Sequence, residues 1–201
     1  MELERLVAAP RRDLEMLRVA FGPADGREAD RLHRRQRGLL GVFVGVLLFA
    51  RRYRVPWLTV LDLACLVAPI GIFLGRIANF IKPELWGRPT DAPWAMVFPG
   101  SDGLPRHPSQ LYEAALEGAA NFAILWTLTR RGGLQRRGLV TGAFGVVYGM
   151  ARIICEFYRD PDPNLEALGG GLTMGMVLSA PMVVVGLGVV AWSLARDRAR
   201  A

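Results

Sequence analysis

Histidine and cysteine are both scarce, with two of each among 201 residues. Cys65 and Cys155 lie inside apolar runs, so they form no disulfide framework and no zinc-ligand spacing. Their expected role is packing. No metal cluster and no cofactor motif is expected. Ser109 lacks the acid–base partners of a serine hydrolase. The glycine run Gly169–Gly171 has no lysine after it, so it reads as a helix-entry loop and not as a phosphate cradle. No internal repeat recurs. Met1 to Arg37 holds no apolar core segment, which argues against a cleavable signal peptide.

What the chain does have is apolar residue in blocks. It is 52% hydrophobic, and that fraction is gathered into runs as in multi-span membrane proteins. The formal net charge is +7, with arginine supplying nearly all of the positive charge. By charge alone a nucleic-acid binder would look similar. Here the basic clusters punctuate the apolar runs as topology signals do, so no nucleic-acid partner is expected. The blocks are 38–50, 57–75, 111–128, 139–157 and 172–194. The first is short for a span and reads as a buried or re-entrant helix, whereas the others approach the roughly 20 residues a bilayer requires. The expected fold is all-α: a multi-pass transmembrane helix bundle of four to five spans, with an ordered loop from Arg76 to Gln110. The expected domain plan is a basic head over 1–37, a membrane domain over 38–195 and a basic tail over 196–201. Within the head, Leu14, Leu17 and Phe21 have helical spacing and Gly22 to Gly26 reads as a turn. The positive-inside rule places the clusters at 51–54, 130–137 and 196–200 in the cytoplasm. The loop 76–110 and the turn 158–171 then face outward together.

Those outer segments carry the unusual residues. In Gly75 to Arg88 (GRIANFIKPELWGR), Arg76 stands at the edge of the hydrocarbon, followed by Asn79, Glu84, Trp86 and Arg88. Charge at that depth is unfavourable, so such residues face a protein interior or a wet cavity, or else snorkel to headgroups. In Leu139 to Asp162, Tyr148, Arg152, Glu156 and Arg159 are spaced four, four and three apart and share a stripe about 80° wide. Arg152 and Glu156 can pair at i,i+4, as a structural ion pair or as part of a site. Arg159 taken alone also fits an interfacial anchor. A third cluster runs from Arg106 through His107, Pro108, Ser109, Gln110 and Tyr112 to Glu113. Pro108 suits a first helical turn and Glu113 the positive helix end, so much of the cluster reads as capping. His107 is the titratable candidate, although a lone histidine there is more often a hydrogen-bonding residue than a base.

Taken together, GRIANFIKPELWGR, RHPSQLYEAALEG and YGMARIICEFYRDPD, in this order and spacing, resemble the bacterial prolipoprotein diacylglyceryl transferase family. The resemblance runs from about Gly38 to Leu194. It implies a multi-pass inner-membrane enzyme with its active site toward the periplasm and no cofactor. Such an enzyme moves the diacylglyceryl group of phosphatidylglycerol to the thiol of a prolipoprotein's lipobox cysteine, releasing glycerol 1-phosphate. The implied partners are phosphatidylglycerol, the lipobox segment and membrane lipids. By resemblance, Arg76 and Arg152 are the essential arginines. Asn79, Glu84, Gly87, Tyr148, Glu156 and Arg159 join Arg76 in substrate binding. His107, Gln110 and Tyr112 are supporting residues. Three positions depart from the family pattern. The place of a histidine–glycine–glycine motif reads Arg35–Gln36–Arg37–Gly38, with His33 out of register. Ala78 stands where a glycine is usual, and Met176 where a glutamine is common. Residues 1–37 accordingly read as a replacement for the family's N-terminal spans. Two other classes of function remain open: an inactive remnant or helix-packing membrane protein, and a small transporter binding an anion through midplane arginines.

Overall fold

The computed structural model describes residues 41, 44–160 and 173–198. The head over 1–37 with His33, the Gly169–Gly171 loop and residues 199–201 lie outside the described residues. The chain divides into two units, Met1–Tyr53 and Arg54–Ala201. In the first, helix α1 runs over 44–53, past the expected end at Ala50. The rings of Phe49 and Tyr53, one turn apart on α1, lie 4.5 Å from each other.

The second unit is a helix bundle. Helix α2 (Trp57–Ile81) carries the long apolar run. Leu63, Val67, Ile70 and Leu74 are exposed along it at helical spacing, as expected of a lipid-facing stripe. The helix extends six residues beyond the expected end at Gly75, because Ile77, Ala78, Phe80 and Ile81 continue the apolar pattern. It stops before Pro83, whose ring disfavours a helical residue ahead of it. Arg76 and Asn79 therefore sit on α2 and not in the loop. After that loop, three helical pieces follow without a break: α3 (Ser109–Glu113), a π-helical segment (Ala114–Ala120) and α4 (Asn121–Arg130). Gly118 in the π segment lets α2 approach: a Cβ there would lie 2.7 Å from Phe73 Cβ. A 3₁₀ turn (Gly133–Gln135) leads to α5 (Leu139–Glu156), and the last described element is α6 (Met174–Arg198). Residues 196–198, expected in a tail, are helical.

Helices α5 and α6 pack through glycine. A Cβ on Gly142 would come within 2.8 Å of the Gly186 carbonyl, and one on Gly186 within 2.8 Å of the Gly142 carbonyl. Small residues allow such backbone approach where lipid supplies no hydrophobic drive between helices. Trp57–Ile81, Leu139–Glu156 and Gly175–Asp197 are each long and apolar enough to cross a bilayer. Among the described residues there is no strand, only isolated bridges, two within the loop and one from Gly87 to Arg159. The expected all-α, multi-pass membrane bundle is what the chain forms.

Candidate active site

The last turns of α2, the start of the α3–π segment and the last turn of α5 meet at one end of the bundle. Arg76 is brought there by α2, Glu113 by α3, Glu117 by the π segment, and Arg152 and Glu156 by α5. Arg76 Nη1 is 3.1 Å from Glu113 Oε2, and Arg76 Nη2 donates to Glu117 Oε2 at 3.1 Å. Arg152 Nη1 donates to Glu113 Oε1 at 2.6 Å and to Glu117 Oε1 at 3.3 Å. Arg152 Nη2 lies 3.1 Å from Glu156 Oε2, which completes the i,i+4 pair expected from the spacing. Arg159 Nη1 approaches Glu113 Oε1 at 3.7 Å.

Three guanidiniums thus meet three carboxylates, and the formal charges cancel. Cancellation matters because Glu113 and Glu117 are fully buried, where an unpaired charge would cost several kcal/mol. The pairing is not saturated in its hydrogen bonds. Glu113 Oε2 and Glu156 Oε2 are buried with arginine nitrogen close by, yet no donor is aligned on either oxygen. The two arginines are held from opposite sides by the same two carboxylates, and each keeps partial access to the surface: 18% of the Arg76 side chain and 14% of Arg152 are exposed.

The loop is braced against this end. Gly87 N–H donates to the His107 carbonyl at 2.9 Å, and Arg88 N–H to that of Tyr158 at 3.0 Å. A Cβ on Gly87 would lie 2.5 Å from the Tyr158 oxygen and 2.6 Å from the His107 oxygen, so only glycine permits the crossing. Arg106 is a buried strut. It donates to the Gly87 carbonyl at 2.9 Å, to Asp160 Oδ2 at 2.9 Å, and to both Asp102 oxygens at 3.2 and 2.8 Å. The hydrogen bonds from Arg106 hold the exposed Asp102 carboxyl below its ordinary value of 3.8. Leu85 sits in the left-handed region at φ 59°, a strained position for a side chain with a Cβ. Its conformation is fixed from α3, where Ser109 Oγ donates to the Leu85 carbonyl at 3.1 Å and Gln110 Nε2 to that of Glu84 at 2.7 Å.

The other expected residues are distributed around this frame. Tyr148 is half-buried and stacked on Phe144 at 5.5 Å. Asn79 is half-buried near the end of α2, and its carbonyl accepts from Glu84 N–H at 2.9 Å. The Glu84 side chain is exposed and pairs with Lys82 at 2.7 Å, so it stays out of the arginine cluster. His107 Nδ1 lies 3.1 Å from Tyr112 Oη, which also accepts from Trp94 Nε1 at 2.6 Å. His107, Tyr112 and Tyr158 form an aromatic triangle with centroids 5.2–5.8 Å apart. The expected capping role of Glu113 gives way to the ion cluster, because its side chain turns inward to Arg76 and Arg152. Glu117 was likewise absent from the expected site. The i,i+4 spacing of two acids in an otherwise apolar helix was the available signal, the same one that marked Arg152 and Glu156.

At the other end of the unit, Asp62 is buried and serves as an N-terminal cap for α5. It accepts from Gly138 N–H at 2.6 Å, Thr141 N–H at 2.8 Å and Thr141 Oγ1 at 2.7 Å. Gly138 there has φ 87°, a backbone conformation that favours glycine. An open, largely apolar groove of about 680 Å³ lies at this end, between α4, α5 and α6, with Arg131 and Arg136 among its lining residues.

Comparison with known sequences gives one family. A prolipoprotein diacylglyceryl transferase family model matches residues 36–192. The chain is 62% identical over 160 residues to a protein of Methylocella silvestris named phosphatidylglycerol–prolipoprotein diacylglyceryl transferase, a match covering 80% of this chain and 59% of that protein. Proteins of the same name from Nitrobacter winogradskyi and Rhodopseudomonas palustris are 60% and 56% identical over 160 and 163 residues. Those two matches cover 78% and 80% of this chain, and 55% and 57% of the relatives. The chain therefore spans somewhat over half the length of the curated relatives it matches.

Proposed function

The chain belongs to the prolipoprotein diacylglyceryl transferase family, and from that premise we propose that it transfers the diacylglyceryl group of phosphatidylglycerol to the lipobox cysteine thiol of a prolipoprotein. The observation that carries the reading is the convergence of Arg76 and Arg152, from separate helices, on the same pair of carboxylates. Two planar guanidiniums can take phosphate oxygens in fork-shaped hydrogen bonds. As the thiolate sulfur bonds to the terminal glycerol carbon of the diacylglyceryl group, the bond from that carbon to the phosphate oxygen breaks, glycerol 1-phosphate leaves with its electron pair, and the thiol's proton passes to water. Fixed guanidiniums stabilise the charge that develops on that phosphate. They also favour the thiolate form of an incoming cysteine, and the thiolate is the nucleophile. The nucleophile belongs to the substrate, so no cysteine of this chain takes part.

In this reading Asn79, Gly87, Tyr148, Glu156 and Arg159 shape the substrate site with Arg76. Glu84 contributes through its carbonyl, and His107, Gln110 and Tyr112 support the loop. The membrane domain is residues 38–195, flanked by the segments 1–37 and 196–201. The site faces the periplasm of the bacterial inner membrane. Support for this orientation comes from Arg130, which ends α4, and from Arg131, Arg136 and Arg137, which follow it, at the end of the bundle away from Arg76. Arg76→Ala and Arg152→Ala should each abolish transfer between labelled phosphatidylglycerol and a lipobox peptide in membranes. Wild-type turnover by either variant would refute the assignment. Rescue of a transferase-depleted strain by this chain separates the enzyme from an inactive remnant.

A further inference from the structure

We propose that Glu113 is a positioning residue: it sets the spacing of the arginine guanidiniums and gives up its contact with Arg76 when the anionic headgroup enters. This rests on the reading that Arg76 and Arg152 hold a phosphate.

The two oxygens of Glu113 are used differently. Oε1 accepts a 2.6 Å hydrogen bond from Arg152 and has Arg159 at 3.7 Å. Oε2 lies 3.1 Å from Arg76 Nη1, yet no donor is aligned on it, and it is buried. One contact is therefore a directed bond and the other is an ion contact of poor geometry. A phosphate oxygen arriving at Arg76 can replace the weaker contact while the Arg152 bond stays in place. Arg76 also has the larger exposure of the two arginines. Glu117 keeps a second contact to each guanidinium, so neither arginine swings free during the exchange.

The backbone favours such an arrangement. Glu113 ends α3, and Glu117 lies in the π segment that follows. Single π turns within α-helices occur often at functional sites. The i→i+5 bonding under-winds the helix, so two acids four residues apart are rotated relative to each other by less than a full turn. Gly118 seats this segment directly on Phe73 of α2, one turn before Arg76. The carboxylates and the first guanidinium are thus set by one tight helix contact. A carboxylate in this position also competes with the incoming anion, because both seek the same nitrogen atoms.

The test uses the full chain, purified in detergent and assayed in phosphatidylglycerol nanodiscs, as wild type, Glu113→Gln and Glu113→Asp. Removing the competing charge should let inorganic phosphate protect Glu113→Gln against thermal unfolding at about one-tenth of the wild-type concentration. The same variant should lose about 100-fold in kcat with KM unchanged or lower, because the guanidiniums lose their spacing. Glu113→Asp, which keeps the charge on a shorter arm, should recover about tenfold of that loss. A purely structural residue would reduce activity only in proportion to the folded fraction and leave phosphate protection where it was. That result, or a Glu113→Gln variant with wild-type kcat, would overturn the proposal. If the wild type transfers nothing while Glu113→Gln still gains phosphate protection, the transferase reading fails and the competition at Arg76 stands. If the wild type transfers and phosphate protection does not move, Glu113 loses its role and the transferase reading survives.

Discussion

Asp62 and the Glu113–Glu117 pair are buried carboxylate sites of the same unit that solve the same desolvation problem in opposite ways. They lie about 20 Å apart along α2, counting 1.5 Å per residue from Asp62 to Arg76. Asp62 accepts hydrogen bonds from two backbone N–H groups and one hydroxyl, all from the first turn of α5. Its partners are neutral, come from one helix start and are mostly backbone groups, and the positive end of the helix favours its charge. Glu113 and Glu117 are held by side-chain cations from α2 and α5, and one oxygen of Glu113 has no aligned donor. The first arrangement is closed and joins two helices. The second is electrically neutral and, on the proposal made for Glu113, can exchange one carboxylate contact for an incoming anion. Burial and charge alone do not distinguish them; the kind and alignment of the partners do.

The contrast can be tested from its strongest side downward. Arg152→Lys should lower transfer by at least about 100-fold, since a single ammonium cannot reach Glu113, Glu117 and Glu156 together, and the loss is read as turnover per folded molecule. Gly87→Ala should cost about tenfold in turnover, because a displacement near 1 Å in a positioning loop suffices for more than that. Its Cβ must push Tyr158 and His107 apart, whereas a glycine-to-alanine change at Gly188, where no atom lies within 4 Å, should leave turnover alone. Asp62→Asn should weaken the fold by about 2 kcal/mol, as lost caps and charge-assisted hydrogen bonds do, with turnover per folded molecule preserved. A collapse of that turnover in Asp62→Asn would erase the distinction between the two sites.

The smallest effect concerns the loop brace. The folded Asp102 carboxyl titrates below 3.8, so its contribution is complete above that value and is lost only as pH falls through the lowered folded value. Loop opening, followed by proteolysis of residues 82–108, should therefore be independent of pH from neutrality down to about 4 and increase only in stronger acid. An onset near neutral pH would show that the Asp102–Arg106 contact is not what holds the loop closed.

Much of this was legible along the chain. The spacing of Tyr148, Arg152, Glu156 and Arg159 places them on one face of α5, and Arg152 and Glu156 pair as i,i+4 geometry requires. Of the four blocks that read as spans, three fall on helices long and apolar enough to cross a bilayer, and the fourth, 111–128, is divided among α3, the π segment and α4. By charge alone Arg76 marks a helix boundary, whereas its buried carboxylate partners let α2 run on through it to Ile81. Local spacing does not assign Glu113 and Glu117 to the arginines, because they lie 37 and 41 residues from Arg76 and 39 and 35 from Arg152. In sequence Arg106 belongs to a helix-start cluster, and only the folded loop makes it a strut between Gly87, Asp102 and Asp160.

By itself, then, the sequence determined where helices form and which faces carry charge, because both follow from periodicity and from the exclusion of ions from hydrocarbon. It determined that arginines would stand at one end of the bundle. Only the tertiary structure decided that Arg76 and Arg152 share Glu113 and Glu117, that one contact among them is poorly aligned, and that Gly87 must be glycine. Those properties depend on distances between helices far apart in the chain, set by close contacts such as Gly118 on Phe73, and no local rule fixes such distances to within an ångström.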